Sequence, residues 1–120
     1  MEKWFINTEF IREWMLGLDA RSYGHVAAAL FLLEAEGPQL GRPFVDSIKG
    51  SRFKNMKELR PASAGRSELR ILFVFDPERR AIMLIAGDKS GIWVKWYKTS
   101  IARADTLYER YLRRREEERS

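Results

Sequence analysis

The apolar residues of this chain change their period twice, and that switch restricts the fold more than any other feature. Phe10, Ile11, Trp14, Met15 and Leu18 recur at helical spacing and predict a first amphipathic helix ending near Leu18. Thr8 precedes it as a candidate N-cap, with Glu9 near the positive helix end. A second helix follows. Its buried side is expected to hold Tyr23, Val26, Ala27, Leu30, Phe31 and Leu33, and Gly37 followed by Pro38 stops it. Ahead of both, Trp4 to Asn7 is short and apolar enough for an edge strand.

Residues 38–51 carry Pro38, Gly41, Pro43 and Gly50 without a sustained period and read as a loop. From about Phe53 the pattern is that of strands. FKNMKELR, ELRILFVF and RAIMLIAG form three, the last two rich in β-branched and aromatic residues. The segment Asp76 to Arg80 opens with Asp-Pro, a turn signal, so the second and third strands are expected to form an antiparallel hairpin. After Gly87 helical spacing returns through Trp93, Trp96, Tyr97, Ile101, Ala104, Leu107, Tyr108, Tyr111 and Leu112. Residues 113–120 have no apolar face and are expected to fray as a polar tail. The order β-α-α-β-β-β-α describes an α+β chain whose length fits one domain, residues 1–120.

Charge follows the same division. Between Lys49 and Lys98 there are 12 Lys or Arg against 5 Asp or Glu, a balance of +7, whereas the whole chain carries +5. Positive charge is thus concentrated on the strand segment, and a basic sheet face suits a phosphate backbone. With 45% hydrophobic residues this is a folded globule, not a basic disordered tail. The absence of cysteine excludes disulfides, Cys-ligated zinc and thiol nucleophiles. No apolar run approaches the length of a membrane span, and MEKWFINTEF lacks the apolar core of a signal peptide, so a soluble cytoplasmic protein is expected. The acidic residues are scattered without ligand spacing, so neither metal nor cofactor is expected. His25, the only histidine, lies on the second helix and reads as a packing or surface residue.

Were the phosphate backbone that of RNA, the residue types on the basic strands would also suit its metal-free cleavage. When a 2′-hydroxyl attacks its adjacent phosphate, cationic donors must surround the developing phosphorane and two protons must move. Arg70 stands near the start of an otherwise apolar strand; alternation sets it with Leu72 and Val74, opposite Leu69, Ile71 and Phe73. A central strand seldom tolerates such an Arg unless its face is open or the group is paired, here with Glu58 or Glu68. Arg60 and Glu58 share one face of the preceding strand and Lys57 takes the other. Arg60 beside Arg70 makes a two-Arg phosphate clamp, and Lys57 joins it only through a bulge. Glu58 is either a general base or an ion-pair partner. Lys89, in GDKSG, lies just past the last strand, where flanking glycines let the backbone approach a ligand closely, with Asp88 beside it to orient it; alternatively both are turn residues. Trp93, Trp96 and Tyr97 are core residues or stacking platforms for RNA, and Tyr97 also offers a phenol for proton transfer. Arg66 is a further RNA-binding candidate.

KELRP (57–61), SELRILFVFD (67–76), LIAGDKSGIWVKWY (84–97) and IARADTLYERYL (101–112), in that order, resemble the HigB-like, phage-derived branch of the RelE/ParE toxin superfamily. The resemblance implies a small RelE-like domain: two N-terminal helices on one face of a twisted, mainly antiparallel sheet, a C-terminal helix, and a second, concave face partly open. It implies the toxin of a type II toxin–antitoxin system, a ribosome-dependent mRNA interferase whose open face enters the ribosomal A site. The partners it implies are the ribosome with its mRNA and a cognate helix-turn-helix antitoxin. The family places a basic residue at the end of the last strand, a position that falls on Lys89, and the resemblance thereby implies that Lys89 neutralises phosphate or protonates the leaving 5′-oxygen. Some relatives use an active-site histidine, whereas His25 lies far from the basic strands. The alternatives are a ParE-like, non-nuclease inhibitor of DNA gyrase and a plain RNA-binding module without turnover.

Overall fold

The strands β4 (Leu69–Phe75) and β5 (Arg80–Asp88) form the expected antiparallel hairpin at the centre of the molecule. The computed structural model describes residues 3–63 and 65–119. Asp76 closes the hairpin turn: its carboxylate accepts from the backbone N–H groups of Glu78 and Arg80, each at 2.9 Å. The strand β3 (Met56–Leu59) pairs antiparallel with β4, and β1 (Phe5–Asn7) joins β5 in parallel at the far edge. A further strand, β2 (Val45–Ser47), lies in the stretch expected to be loop and pairs antiparallel with β3. Three residues are too few for a period to show; cross-strand bonding and the burial of Val45 opposite Leu59 define it. The sheet order is β1-β5-β4-β3-β2.

Strict alternation on β4 divides two cores. Leu69, Ile71 and Phe73 face the short helix α1 (Arg12–Leu16), with Ile11 buried just ahead of it, and the long helix α2 (Ala20–Glu36), where Val26, Leu30 and Leu33 are buried. Leu72 and Val74 face the other way, with Met56, Ile82 and Leu84, under the C-terminal helix α3 (Trp93–Arg119). A register shift sets Leu72 opposite Ile85 and Phe73 opposite Met83, leaving Leu84 as the extra residue of a bulge. The second face, expected to be partly open, is covered over its middle by α3. Ala104 is fully buried and lets α3 approach the sheet closely, and Tyr108 and Tyr111 complete the contact. At the end of this face near the N-terminus of α3, Arg60, Arg70 and Tyr97 stay partly exposed.

Both N-terminal helices form, with three differences from expectation. A 3₁₀ turn (Glu9–Ile11) precedes α1, and Asn7 does the capping, accepting from the Glu9 N–H at 2.9 Å, while the Thr8 side chain makes no cap bond. The buried stripe of α2 runs through Ser22, Val26, Ala29, Leu30 and Leu33, so Tyr23 and Phe31 face outward. Apolar residues surround this helix, and sequence spacing alone permits either rotation. Gly37 ends α2 with φ 57°, and the Trp4 ring occupies the space a side chain there would need.

The polar residues 113–119, expected to fray, continue α3. Arg115 and Arg119 both reach Glu78 in the β4–β5 turn, and Arg114 pairs with Glu9 at 3.1 Å. These tertiary ion pairs supply what an apolar face would otherwise provide. Among the described residues no helix is long and apolar enough to cross a membrane.

Candidate functional site

The end of β3, the start of β4, the end of β5 and the first turns of α3 meet on the half-covered face of the sheet, and their polar side chains converge there. Alternation on β3 turns Glu58 away from Leu59 and toward α3, with Arg60 following two residues later. Glu58 is 2% exposed, an unusual place for a carboxylate, and two guanidiniums surround it. Arg60 Nε donates to Glu58 Oε1 at 2.7 Å, and Arg70 Nε lies 3.9 Å from the same oxygen. Arg60 also reaches Asp46 Oδ2 at 3.3 Å, on the neighbouring strand β2. The two arginines therefore share one buried anchor.

Arg70 is held tightly, its side chain only 14% exposed, with Nη1 donating to the Leu69 carbonyl at 2.8 Å. Its Nε and the second oxygen of Glu58 are buried and have no hydrogen-bond partner. Polar groups in that condition are costly unless a ligand or water completes them.

Tyr97, on the second turn of α3, joins this cluster to Lys89. Burial first, and then the Glu58 carboxylate, push the phenol up to about 12, while Arg70 acts in the opposite sense. Lys89 lies just past β5 with Nζ 5.7 Å from the Tyr97 ring centre, 5.8 Å from that of Trp93, and 3.5 Å from Glu68 Oε2. An ammonium against two aromatic faces is positioned electrostatically yet keeps donors for a further anion. Asp88 contacts the backbone instead of Lys89: it accepts from the N–H groups of Glu68 and Ser90, each at 2.9 Å, and so fixes the turn that carries the lysine.

Trp96 is half-buried against Gly87, the residue directly opposite Arg70 on β5. A Cβ on Gly87 would meet Trp96 Nε1 at 2.6 Å, so glycine is required for the close approach of α3 at this point. Gly87→Ala is expected to destabilise the fold by about 1–3 kcal/mol by forcing the indole outward, measured as the urea midpoint at constant m-value. An unchanged midpoint would show that α3 is loosely seated here.

Two candidates lie elsewhere. The β3 strand is regular, so Lys57 points to the opposite face, where its Nζ is 3.4 Å from Ser47 Oγ. Arg66 is exposed in the loop between β3 and β4. Trp93 is exposed, not core, and contributes its ring to Lys89. His25 is half-buried on α2 across the sheet from the cluster. Asp46 and the pairing of Glu68 with Lys89 were not anticipated; Asp46 escaped because the strand that presents it has no periodic signal. Among the described residues no three His, Cys, Asp or Glu side chains are grouped to hold a metal ion.

Comparison with known proteins agrees with this arrangement of motifs. A protein of Mycobacterium tuberculosis (strain ATCC 25618 / H37Rv) named "Putative toxin HigB2" is 55% identical over 109 residues, 91% of this chain and 54% of the relative. A second from the same organism, "Putative toxin HigB3", is 48% identical over 102 residues, 85% of this chain and 87% of the relative. The chain thus spans about half the length of the first relative and most of the second. The profile of the family described as "Phage derived protein Gp49-like (DUF891)" matches residues 13–109, a span that takes in both N-terminal helices, all the site strands and most of α3. The chain belongs to this phage-derived Gp49-like family, with HigB-named proteins among its relatives.

Proposed function

We propose that this chain is the toxin of a type II toxin–antitoxin pair and acts as a ribosome-dependent mRNA endonuclease. In this reading it cleaves at the A site through metal-independent attack of a 2′-hydroxyl on the adjacent phosphate. The toxin names of two close relatives support the broader half of this reading. The observation that carries the chemistry is the convergence of Arg60, Arg70 and Tyr97 around the buried Glu58, with Lys89 on the Tyr97 ring beside them.

Each group has a role its surroundings suit. Arg70 and Arg60 form a fork for non-bridging phosphate oxygens, and Glu58 acts as a positioning carboxylate that keeps both heads at one place. A phenol raised to about 12 stays protonated at neutral pH, so Tyr97 donates a proton or hydrogen bond and does not abstract one. Lys89 stabilises the leaving 5′-oxygen. Deprotonation of the 2′-hydroxyl is then left largely to solvent and to in-line positioning of the mRNA by the ribosome. The helix-turn-helix antitoxin neutralises by covering or displacing this basic face. The presence of Arg60, Arg70 and Lys89 counts against the alternative of a gyrase inhibitor.

The test is primer-extension mapping of a defined mRNA in a reconstituted translation reaction, with and without ribosomes. Cuts at A-site codons that require both ribosomes and Arg70 support the proposal. Toxicity in cells without cuts under any condition would move the target to gyrase or elsewhere.

The phenol also links stability to alkaline pH. Its folded pKa lies above the ordinary value of about 10, so the folded state holds this proton more tightly than the unfolded chain. That stability is fully present below about pH 10 and is lost as pH rises through about 12. Tyr97→Phe is expected to flatten this decline in urea-unfolding series across that window. An identical slope would place the phenol in ordinary solvent.

A further inference from the structure

The outward face of α3 carries positive charge that the cluster around Glu58 does not use. Lys95, Lys98, Arg103 and Arg110 are exposed along it, and none forms an ion pair among the described residues. The acids on the same stretch are occupied. Asp105 is buried, accepting from Ser51 Oγ and from the Arg52 N–H at 2.9 Å, and Glu109 is taken by Arg52 and Arg113.

Two grooves flank this helix and share Ala102 and Thr106 as the ridge between them. One, of about 600 Å³, lies between α3 and the loop ahead of β3 and carries Lys49, Arg52 and Lys98. The other, of about 420 Å³, lies on the β5 side and carries Arg103 and Arg110. The buried Asp105 clamps the loop that bears Lys49 onto the helix, so the cations on the first side are set by the fold and not by flexible chain. The result is a low ridge of small residues with a row of cations along each side. From Lys95 to Arg110 it runs roughly 22 Å at the helical rise.

We propose that this face is a second nucleic-acid surface, one that docks the phosphate backbones on either side of a groove in double-stranded RNA. It goes beyond the cleavage reading and stands or falls by binding alone. Protein partners anchor on apolar and aromatic residues at the centre of an interface, whereas between Lys95 and Arg110 the large apolar side chains of this face, Ile101 and Leu107, are half-buried in the grooves and none stands fully exposed. Lys49 and Lys98 on one side and Arg103 and Arg110 on the other, none of them ion-paired among the described residues, instead match two phosphate strands, while Arg52 is held by Glu109 and Asp105. The ridge presents Thr99, Ala102 and Thr106, without the Asn or Gln that reads bases in a deep DNA major groove. Small and hydroxyl-bearing residues suit the wide, shallow minor groove of A-form RNA, where recognition rests on shape, phosphates and 2′-hydroxyls.

The experiment is fluorescence anisotropy of a blunt RNA duplex of generic sequence, titrated with the full chain between 50 and 200 mM salt. Matched arms use a DNA duplex of the same length and an acidic Glu-rich peptide. Two double variants remove one row each, Lys49→Ala with Lys98→Ala and Arg103→Ala with Arg110→Ala. A third, Arg12→Ala with Arg21→Ala, removes the same charge from exposed positions on the N-terminal helices. Each row variant should weaken RNA-duplex binding about tenfold and lower the log–log salt slope by about 1.5 to 2. The N-terminal variant should stay within about twofold of wild type. All three retain the wild-type melting temperature, because none of these side chains is buried or paired. Equal losses in all three variants would reduce the binding to net charge and overturn the proposal. So would equal or tighter binding of the DNA duplex, the absence of duplex binding, or preferential capture of the acidic peptide. Because the readout is binding, a chain that fails to cut mRNA still decides the matter.

Discussion

Arg70→Ala is expected to lower single-turnover cleavage of ribosome-bound mRNA by about 10²–10³-fold while leaving the fold intact. The size follows from where the group sits. Its guanidinium is mostly enclosed, only 14% exposed, and carries a buried Nε without a hydrogen-bond partner, so its field on a phosphorane is weakly screened and its orientation is already set. Truncation removes a charge from beside Glu58 but leaves Arg60 hydrogen-bonded to that carboxylate at 2.7 Å, so the carboxylate is not stranded. Arg70→Lys restores the charge without the planar fork and should recover only a small part of the rate. Cleavage within threefold of wild type in Arg70→Ala would remove this residue from the chemistry. Rate and thermal stability need to be read together, since a fall in both would describe a packing defect.

The largest effect on stability is expected at Glu58. Glu58→Ala leaves two guanidiniums facing one another around an empty, buried position, and loss of one partner from a buried ionic cluster costs about 3–5 kcal/mol. Arg60 is one-third exposed and can turn toward Asp46 and water, which sets the expectation at the lower end, about 3 kcal/mol. For a chain of this size that corresponds to a fall in melting temperature of about 10 °C. Glu58→Gln keeps the shape and an acceptor for Arg60 and should lose roughly half as much. Calorimetry on both variants separates the two contributions. A melting point for Glu58→Ala equal to wild type would mean that the arginines are solvated independently and that nothing organises them into a clamp.

Much of the site was legible because β-strand geometry is simple. Period two set Arg70 on the face of Leu72 and Val74, put Glu58 with Arg60, and turned Lys57 away; the structure has the same division. The hairpin was legible from Asp-Pro and the flanking apolar runs. Other features left no local trace. The strand β2 is three residues long, and the Asp46 it contributes to Arg60 depends on pairing with β3, 10 residues further along the chain. Spacing alone did not resolve the rotation of α2, because both Val26 with Leu33 and Tyr23 with Phe31 repeat at helical intervals. The helical state of residues 113–119 rests on Glu78 and Glu9, distant partners that no window of polar residues reveals.

The amino-acid sequence by itself determined the kinds and order of the main elements, the sidedness of the central strands and the concentration of cations on them. Each of these follows from local periodicity and composition, which act over a few residues. Tertiary structure alone decided that α3 covers the middle of the second sheet face, that Gly87 admits Trp96, and that Tyr97 comes to lie between the Glu58 cluster and Lys89. Those contacts join residues far apart in the chain, Glu58 and Tyr97 by 39 positions and Phe53 and Tyr108 by 55. They form only because burying Ala104, Tyr108 and Tyr111 on the sheet fixes the position of the whole helix, and the first turns of α3 are carried into place with it.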